Sequence, residues 1–131
     1  MTRRQHGPAT PATLLARQHN IIHPQVSELR VMVIGLGMVG SWVVHALARM
    51  APDSLEIWDF DEVAPENLGS QAYREADVGM FKVSALHDAL PRHDRICSQI
   101  GAFPAEDRVG LEPLEPHVVV SCVDSMAGRK E

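Results

Sequence analysis

The chain has 131 residues, 45% of them hydrophobic, and a formal net charge of −5 at pH 7. A chain of this length forms one domain that is large enough to bury a core. No apolar run approaches a bilayer span, and the acidic balance argues against generic nucleic-acid binding, so neither a membrane nor a nucleic acid is an expected partner. The 2 cysteines are too far apart for a Cys-x-x-Cys zinc site and too few for a disulfide framework, which favours a reducing, cytoplasmic setting.

The first residues differ from the rest of the chain in charge. All 17 acidic residues lie from Glu28 onward, together with 9 of the 12 basic residues. Glycine and proline at positions 7, 8 and 11 predict a disordered lead-in over residues 1–12. A short helix is expected over residues 13–19, and residues 13–131 form the predicted folded domain.

After residue 29 the sequence predicts a strand, a glycine-rich turn and a helix. Residues 30–34 form an apolar, β-branched run of the kind found in buried strands. The sequence Gly-Leu-Gly-Met-Val-Gly at residues 35–40 turns into a helix, which Ala51 and Pro52 end. Val39, Val43, Leu47 and Met50 fall on one face of this helix.

Strands and helices alternate along the remaining chain. Residues 55–59 form a second strand, followed by the polar loop D-F-D-E-V-A-P-E-N-L-G-S-Q at residues 59–71. The helical spacing of Val83, Leu86 and Leu90 predicts a helix that stops at Pro91. Further strands are expected over residues 96–102 and 117–123, and Asp124 and Ser125 begin another helix.

This alternation predicts an α/β fold, a Rossmann-like, doubly wound and mainly parallel sheet. Such sheets bind ligands at the carboxyl ends of their strands, where the glycine turn, the polar loop and Asp124 all fall. A domain of this kind usually continues beyond the last of these strands. We therefore expect the sheet to be incomplete at the C-terminus, in a fragment or a short form.

The glycine turn and the acid after the second strand match a dinucleotide-binding fingerprint. Glycines let the backbone approach a phosphate, and the helix N-terminus adds partial positive charge. Asp59, about 20 residues on, would accept hydrogen bonds from ribose hydroxyls. Alternatively, Gly37 and Gly40 serve only close packing between helix and strand. The fingerprint by itself does not separate NAD from ATP.

Two charged residues suggest a phosphate ligand rather than a nicotinamide. Lys82 lies in the first turn of a helix, where a cation opposes the helix dipole at a cost of about 0.3–1 kcal/mol. A bound anion such as a triphosphate would reverse that interaction, although an accidental exposed lysine is the simpler interpretation. Asp124 could be a helix N-cap, or could hold Mg²⁺ against phosphate oxygens, with Arg129 closing over the same site.

Five motifs, in this order, resemble the ThiF family of adenylyltransferases, which includes molybdopterin-synthase and ubiquitin-activating enzymes. They are Arg17-Gln18, V-I-G-L-G-M-V-G-S, D-F-D-E-V-x-x-x-N-L-x-x-Q, D-V-G-x-x-K-V and V-D-S-x-x-x-R. The resemblance covers residues 15–131. It implies binding of MgATP, and adenylation of the C-terminal carboxylate of a ubiquitin-like or sulfur-carrier protein.

The resemblance also implies which residues do this work. The glycine turn would line the phosphates, Asp59 would hold the ribose, and Asn67 and Lys82 would meet the phosphates. The expected cofactor-binding residues are Gly35, Gly37, Gly40, Asp59, Asp61, Asn67, Gln71 and Lys82. The expected catalytic residues are Arg17, Lys82 and Asp124.

Two of these catalytic residues carry further implications of the resemblance. Asp124 is the expected Mg²⁺ ligand. Arg17 would match an N-terminal arginine that reaches into the ATP site of a partner subunit, so we expect a homodimer.

The sequence departs from the family pattern at three points. Where the typical motif reads N-L-x-R-Q, this sequence has Ser70 in the place of the arginine. An arginine of this kind raises the rate about 10³–10⁵-fold in related phosphoryl chemistry. Arg74 could substitute for it. The paired Cys-x-x-Cys zinc motifs are missing, and the region with a catalytic cysteine and the groove for the carrier tail would lie beyond Glu131. Cys122 is a poor thioester candidate because burial raises a thiol pKa.

Two more functions are compatible with the sequence. An NAD(P)-dependent oxidoreductase domain would explain the glycine turn and Asp59, but not Asn67, Gln71 or Lys82. A non-catalytic module that responds to nucleotide or dimerises would explain Ser70 and the short chain.

Overall fold

The computed structural model describes residue 7 and residues 9–91, 93–101 and 115–124. Within them lie four strands, β1 (Arg30–Ile34), β2 (Ser54–Asp59), β3 (Ile96–Ile100) and β4 (Val118–Ser121). The α-helices of this part are α1 (Pro11–Leu15), α2 (Met38–Arg49) and α3 (Lys82–Ala89). Short 3₁₀ turns cover Pro24–Glu28, Pro65–Gly69, Glu75–Asp77 and His93–Arg95.

The four strands form one parallel sheet in the order β3-β2-β1-β4. In its registers, Val31 pairs with Leu55 on one side and with Val118 on the other. The chain therefore moves outward from β1 through β2 to β3, and β4 lies on the opposite side of β1. Loops that leave β1 and β4 separate at this reversal, which is where open α/β sheets bind ligands. The predicted Rossmann-like parallel sheet is confirmed.

The core lies between the sheet and the helices α2 and α3. Val31 and Val33 of β1 belong to the same buried cluster as Leu55 and Ile57 of β2, so alternate strand residues share one face. Helix α3 contributes its predicted face to this cluster, with Val83, Leu86 and Leu90 all buried.

The most buried face of α2 is not the apolar face that the sequence spacing indicates. Its buried residues are Gly40, Ser41, Val44 and Ala48, while Val39 is 56% exposed and Val43 and Leu47 pack at the margin of the core. The backbone explains the difference, because a Cβ atom on Gly40 would stand 1.7 Å from the carbonyl oxygen of Gly35. The helix approaches the glycine turn so closely that its inner face must be built from small residues.

Several element ends differ from the sequence prediction. Helix α1 is shorter than the helix predicted over residues 13–19, and it begins earlier. It begins earlier because Pro11 starts it and Thr10 caps it, accepting a 3.2 Å hydrogen bond from the Thr13 amide. Strands β3 and β4 are shorter than predicted, and Ala102 and Ser125 lie outside the described residues. None of the helices in the described part of the chain has the length and apolar character of a bilayer span.

Candidate functional site

The three glycines of the turn after β1 have different roles. Gly35 adopts a φ of 86°, and a Cβ there would lie 3.0 Å from the backbone of Cys122 and Val123. Gly40 must lack a side chain so that α2 can approach the glycine turn, and close packing between helix and strand therefore explains this glycine. A Cβ on Gly37 would meet nothing within 4 Å. Gly37 is therefore the one of the three whose open side faces free space, where a phosphate could approach.

The Asp59 carboxylate ties the glycine turn to the start of the polar loop. It is 9% exposed, its Oδ2 accepts a 2.6 Å hydrogen bond from the Leu36 amide, and its Oδ1 accepts a 2.8 Å bond from the Asp61 amide. Each carboxylate oxygen has a second lone pair, which leaves acceptors for ribose hydroxyls. Asp59 thus has a structural role in the chain itself, and the ribose contact stays a prediction.

Loss of the Asp59 carboxylate should destabilise the domain. We expect Asp59→Ala to lower the free energy of unfolding by about 2–4 kcal/mol, because two backbone amides lose an ionised acceptor. Urea denaturation measures the change. The matched control is Asp53→Ala, which removes a surface pair with Arg95 at 3.4 Å and should change stability by less than about 1 kcal/mol. Equal effects of the two substitutions would contradict the structural role of Asp59.

Three hydrogen bonds hold the loop after β2 against the glycine turn and the first residues of α2. Tyr73 Oη donates to the Leu36 carbonyl at 2.7 Å, and the Ala72 amide donates to Ser41 Oγ at 3.0 Å. Trp42 Nε1 donates to the Ser70 carbonyl at 2.9 Å. Burial, with Asp59 and other carboxylates nearby, raises the pKa of Tyr73, so its hydroxyl stays a donor. Sequence reasoning missed these contacts because they join residues that are 28 to 37 positions apart.

The unfavourable place of Lys82 has a local explanation. Its side chain is 7% exposed, and Nζ lies 3.2 Å from Asp61 Oδ2, whose side chain is 52% exposed. The structure thus supplies an anion beside the helix start from within the chain. An ammonium has three donors, so the contact with Asp61 leaves two for another anion. Lys82 and Asp61, both predicted cofactor-binding residues, are therefore brought together.

Asn67 and Ser70 occupy the 3₁₀ turn of the polar loop. Asn67 Oδ1 accepts from the Ala64 amide at 2.9 Å, so its carbonyl oxygen closes the turn. Ser70 is exposed and ends the turn. The contact of Asn67 with a phosphate stays a prediction.

Arg74, the suggested substitute for the family arginine, is bound to a buried acid. Its Nη2 and Nε lie 2.9 and 3.2 Å from the two oxygens of Asp77, and the guanidinium holds the pKa of Asp77 below its usual range. Arg74 itself is 68% exposed. A guanidinium has five N–H donors, so three remain beyond this pair. The suggestion that Arg74 replaces the arginine stays a prediction.

Asp124 lies beside the glycine turn. It is exposed and directly follows Cys122 and Val123, whose backbone packs against Gly35. Among the residues that the structure describes, no cluster of three or more His, Cys, Asp and Glu side chains could hold a metal. A single exposed carboxylate beside the glycine turn would still suit Mg²⁺, because Mg²⁺ keeps several waters and is bound by one or two carboxylates together with substrate phosphates. Arg129 lies outside the described residues.

Arg17, a predicted catalytic residue, has no contact in the described part of the chain that ties it to the crevice, the space at the carboxyl edge of the sheet where the loops after β1 and β4 separate. Arg17 is exposed in the turn after α1 and makes no hydrogen bond or ion pair with the described residues of the crevice. Cys122 is half-buried, and burial raises the pKa of its thiol, as expected for a side chain packed in the fold.

Comparison with known proteins identifies the family. Residues 22–131 match the model of the ThiF family. The chain belongs to this family. It is 31% identical over 110 residues to molybdopterin-synthase adenylyltransferase of Escherichia coli, covering 81% of this chain and 44% of that protein. It is 29% identical to tRNA threonylcarbamoyladenosine dehydratase 2 of Saccharomyces cerevisiae, covering 78% of this chain and 24% of the relative.

Solved structures of the ThiF type share the fold. TcdA (CsdL) aligns with a TM-score of 0.71 at 20% identity, covering 86% of this chain and 46% of that chain. The Escherichia coli dehydratase TcdA in complex with ATP aligns with a TM-score of 0.66 at 20% identity, covering 86% of this chain and 48% of that one. The chain thus spans less than half the length of these relatives, so the activity of a whole protein is a matter for proposal.

Proposed function

We propose that this ThiF domain binds MgATP and adenylates the C-terminal carboxylate of a ubiquitin-like or sulfur-carrier protein. The observation that carries the proposal is the carboxyl edge of the sheet at the reversal of strand order, where the open side of Gly37, the carboxylate of Asp59 and the ammonium of Lys82 belong to adjoining segments. Family membership, adenylyltransferase relatives and related structures with ATP or AMP support it.

The chemistry matches this set of groups. A carboxylate oxygen attacks the α-phosphorus of ATP, the bond to the bridging oxygen breaks, and pyrophosphate leaves with the electron pair. Because two anions must meet, positioning and electrostatic stabilisation do most of the work, and no nucleophilic side chain is required. Gly37 and the start of α2 receive the phosphates, which Lys82 and Asn67 bind. Asp59 orients the ribose, and Asp61 orients the ammonium of the lysine.

Magnesium belongs to this proposal as the partner of the phosphates. Asp124 would hold the ion, which neutralises charge on the phosphate oxygens. Arg17 is proposed to act in the site of a partner subunit within a homodimer, which fits its exposure and its lack of a hydrogen bond to the described residues of its own crevice. The proposed substrate is a carrier protein, and the proposed location is the cytoplasm.

Pyrophosphate exchange with a cognate carrier tests the function in the full-length protein. We expect exchange that depends on the carrier, and we expect Asp124→Ala to reduce it about 10²-fold or more by weakening the magnesium-bound phosphates. The control is Asp94→Ala, which removes an exposed carboxylate from the turn before β3. If Asp124→Ala leaves ATP binding and exchange unchanged, the metal assignment is wrong.

A nicotinamide cofactor can be tested against ATP by ligand binding. Trp42 lies on α2 and donates to the loop after β2, and Trp58 immediately precedes Asp59, so the fluorescence of both should respond to a ligand in the crevice. Titration with MgATP should give a saturable change that NADH does not reproduce. The opposite result would favour an oxidoreductase domain.

Two candidate functions remain: a non-catalytic module, and adenylation of an acceptor carried on tRNA. Ser70 motivates the non-catalytic module, and new activity in Ser70→Arg would support it, whereas turnover in the unmodified protein would eliminate it. Relatives that are tRNA threonylcarbamoyladenosine dehydratases suggest the tRNA-borne acceptor. Exchange stimulated by modified tRNA, and not by a carrier protein, would favour that substrate over our proposal.

A further inference from the structure

Two side chains hold the backbone of Leu36, the residue between the first two glycines of the turn. The Leu36 amide donates to Asp59 Oδ2 at 2.6 Å, and the Leu36 carbonyl accepts from Tyr73 Oη at 2.7 Å. Both bonds are buried, and Leu36 has no exposed surface. The backbone of Leu36 is therefore fixed at both of its polar groups by side chains that come from other segments of the chain.

The planarity of the peptide group transmits these bonds to the neighbouring glycines. In a trans peptide group the C=O and the N–H point in opposite directions. The Leu36 amide points to Asp59, so the Gly35 carbonyl points the opposite way, and it does face the inner side of α2. The Leu36 carbonyl points to Tyr73, so the N–H of Gly37 must point away from Tyr73.

The Gly37 amide is left for a ligand. It donates to none of the described residues, whereas the Gly37 carbonyl accepts from the Ser41 amide at 3.1 Å and from Ser41 Oγ at 2.7 Å. Gly37 is partly exposed, and a Cβ atom there would meet nothing within 4 Å. As the N-cap of α2, it places its unpaired N–H at the positive end of the helix.

Tyr73 affects this amide by way of the peptide group and not by reaching a ligand. Its side chain is buried, and its one hydroxyl proton is used on the Leu36 carbonyl. A half-turn of the peptide group between Leu36 and Gly37 would point the N–H inward and the carbonyl outward. An anion in the crevice would then face an acceptor instead of a donor. The hydrogen bond from Tyr73 opposes that rotation.

We propose that Tyr73 is a positioning residue of the ATP site, whose hydroxyl holds the Leu36 carbonyl inward and thereby aims the Gly37 N–H at the nucleotide phosphates. This inference rests on the proposed function, because it names the group that orients the turn on which the phosphates bind. It gives the loop after β2 a role in phosphate binding that is exerted through a buried hydroxyl.

Tyr73→Phe tests the role of the hydroxyl, because it keeps the aromatic ring in the core and removes only the donor. The dissociation constant for MgATP should increase about tenfold, the order of one hydrogen bond to a charged group. Adenosine has no phosphate, so its dissociation constant should not change. Isothermal titration calorimetry of the full-length protein with MgATP and with adenosine measures both values.

Ile57→Val is the control for a general loss of stability. Tyr73→Phe leaves a buried carbonyl unpaired, so its melting temperature should fall. Ile57→Val also lowers the melting temperature, because it removes a buried methyl group from β2, but it changes no polar group of the glycine turn. Its affinity for MgATP should equal that of the unmodified protein.

The amide resonance of Gly37 reports the orientation of the peptide group directly. In a ¹⁵N correlation spectrum of the nucleotide-free protein, Tyr73→Phe should shift or broaden this resonance, whereas Ile57→Val should leave it in place. Addition of MgATP to the unmodified protein should move the Gly37 amide proton downfield, as donation to a phosphate oxygen requires. The same addition to Tyr73→Phe should move it less.

The outcomes distinguish failure of this inference from failure of the proposed function. If the unmodified protein binds MgATP and Tyr73→Phe binds it equally well, or leaves the Gly37 resonance unchanged, the inference alone is overturned. It is also overturned if Tyr73→Phe weakens adenosine binding as much as MgATP binding, or if Ile57→Val weakens MgATP binding equally. If the folded, unmodified protein binds no MgATP, the proposed function fails and this inference fails with it.

Discussion

Gly40→Ala is expected to destabilise the domain by about 3 kcal/mol or more, at the upper end of the range for overpacked cores. The new Cβ would stand 1.7 Å from the Gly35 carbonyl oxygen and 2.8 Å from its carbonyl carbon. These are backbone atoms, so the contact cannot be relieved by rotating a side chain, and α2 must move away from the glycine turn. Urea denaturation followed by circular dichroism measures the loss.

Gly37→Ala is the matched control for Gly40→Ala. Its φ of −77° is accessible to alanine, and its Cβ would meet no atom within 4 Å, so stability should change by less than about 1 kcal/mol. The same methyl group should obstruct a phosphate and reduce MgATP affinity. Equal stability of the two variants would contradict the close contact at Gly40, and unchanged ATP affinity in Gly37→Ala would contradict the phosphate site.

Lys82→Met is expected to reduce pyrophosphate exchange by about 10²–10³-fold, as removal of one preorganised electrostatic group does in other enzymes. The stability should change little, because methionine fills a similar volume and Asp61, which is 52% exposed, regains water. Exchange assays with the carrier protein, together with thermal unfolding, measure both effects.

Asp61→Asn separates the structural and the catalytic roles of the Lys82 pair. This change leaves the buried ammonium without its carboxylate partner, so it should lower the melting temperature more than Lys82→Met does. The cation remains available to phosphates, and exchange should fall less. If Lys82→Met loses stability but retains exchange, the lysine serves only the ion pair with Asp61, and its assignment to the phosphates is wrong.

The order of elements around the site could be predicted from local sequence signals. An apolar run marks β1, glycines mark the turn after it, and the spacing of Val83, Leu86 and Leu90 marks the inner face of α3. These signals are local because strand and helix periodicities are set within a few residues. The family motifs added the expected positions of the nucleotide-binding residues, and their contacts with a nucleotide stay predictions.

The inner face of α2 does not follow from hydrophobic spacing, for a physical reason. Hydrophobicity alone favours Val39 and Val43, but the approach of α2 to the turn is limited by backbone atoms, so Gly40, Ser41 and Val44 are buried instead. No pattern within the helix records how close another segment comes. The same applies to Ser41, whose hydroxyl binds a residue 31 positions away.

The sequence by itself determined the α/β class, the glycine turn and the identity of the charged groups at the carboxyl edge, since these depend on short-range periodicity and on residue type. Only the tertiary structure decided which groups already have partners. It pairs Lys82 with Asp61 and Arg74 with Asp77, and two backbone amides donate to the Asp59 carboxylate. It also leaves the buried Oε1 of Gln71 without a hydrogen-bond partner among the residues that the structure describes. Pairing depends on distances between segments that are remote in the chain, and those distances exist only once the sheet has assembled.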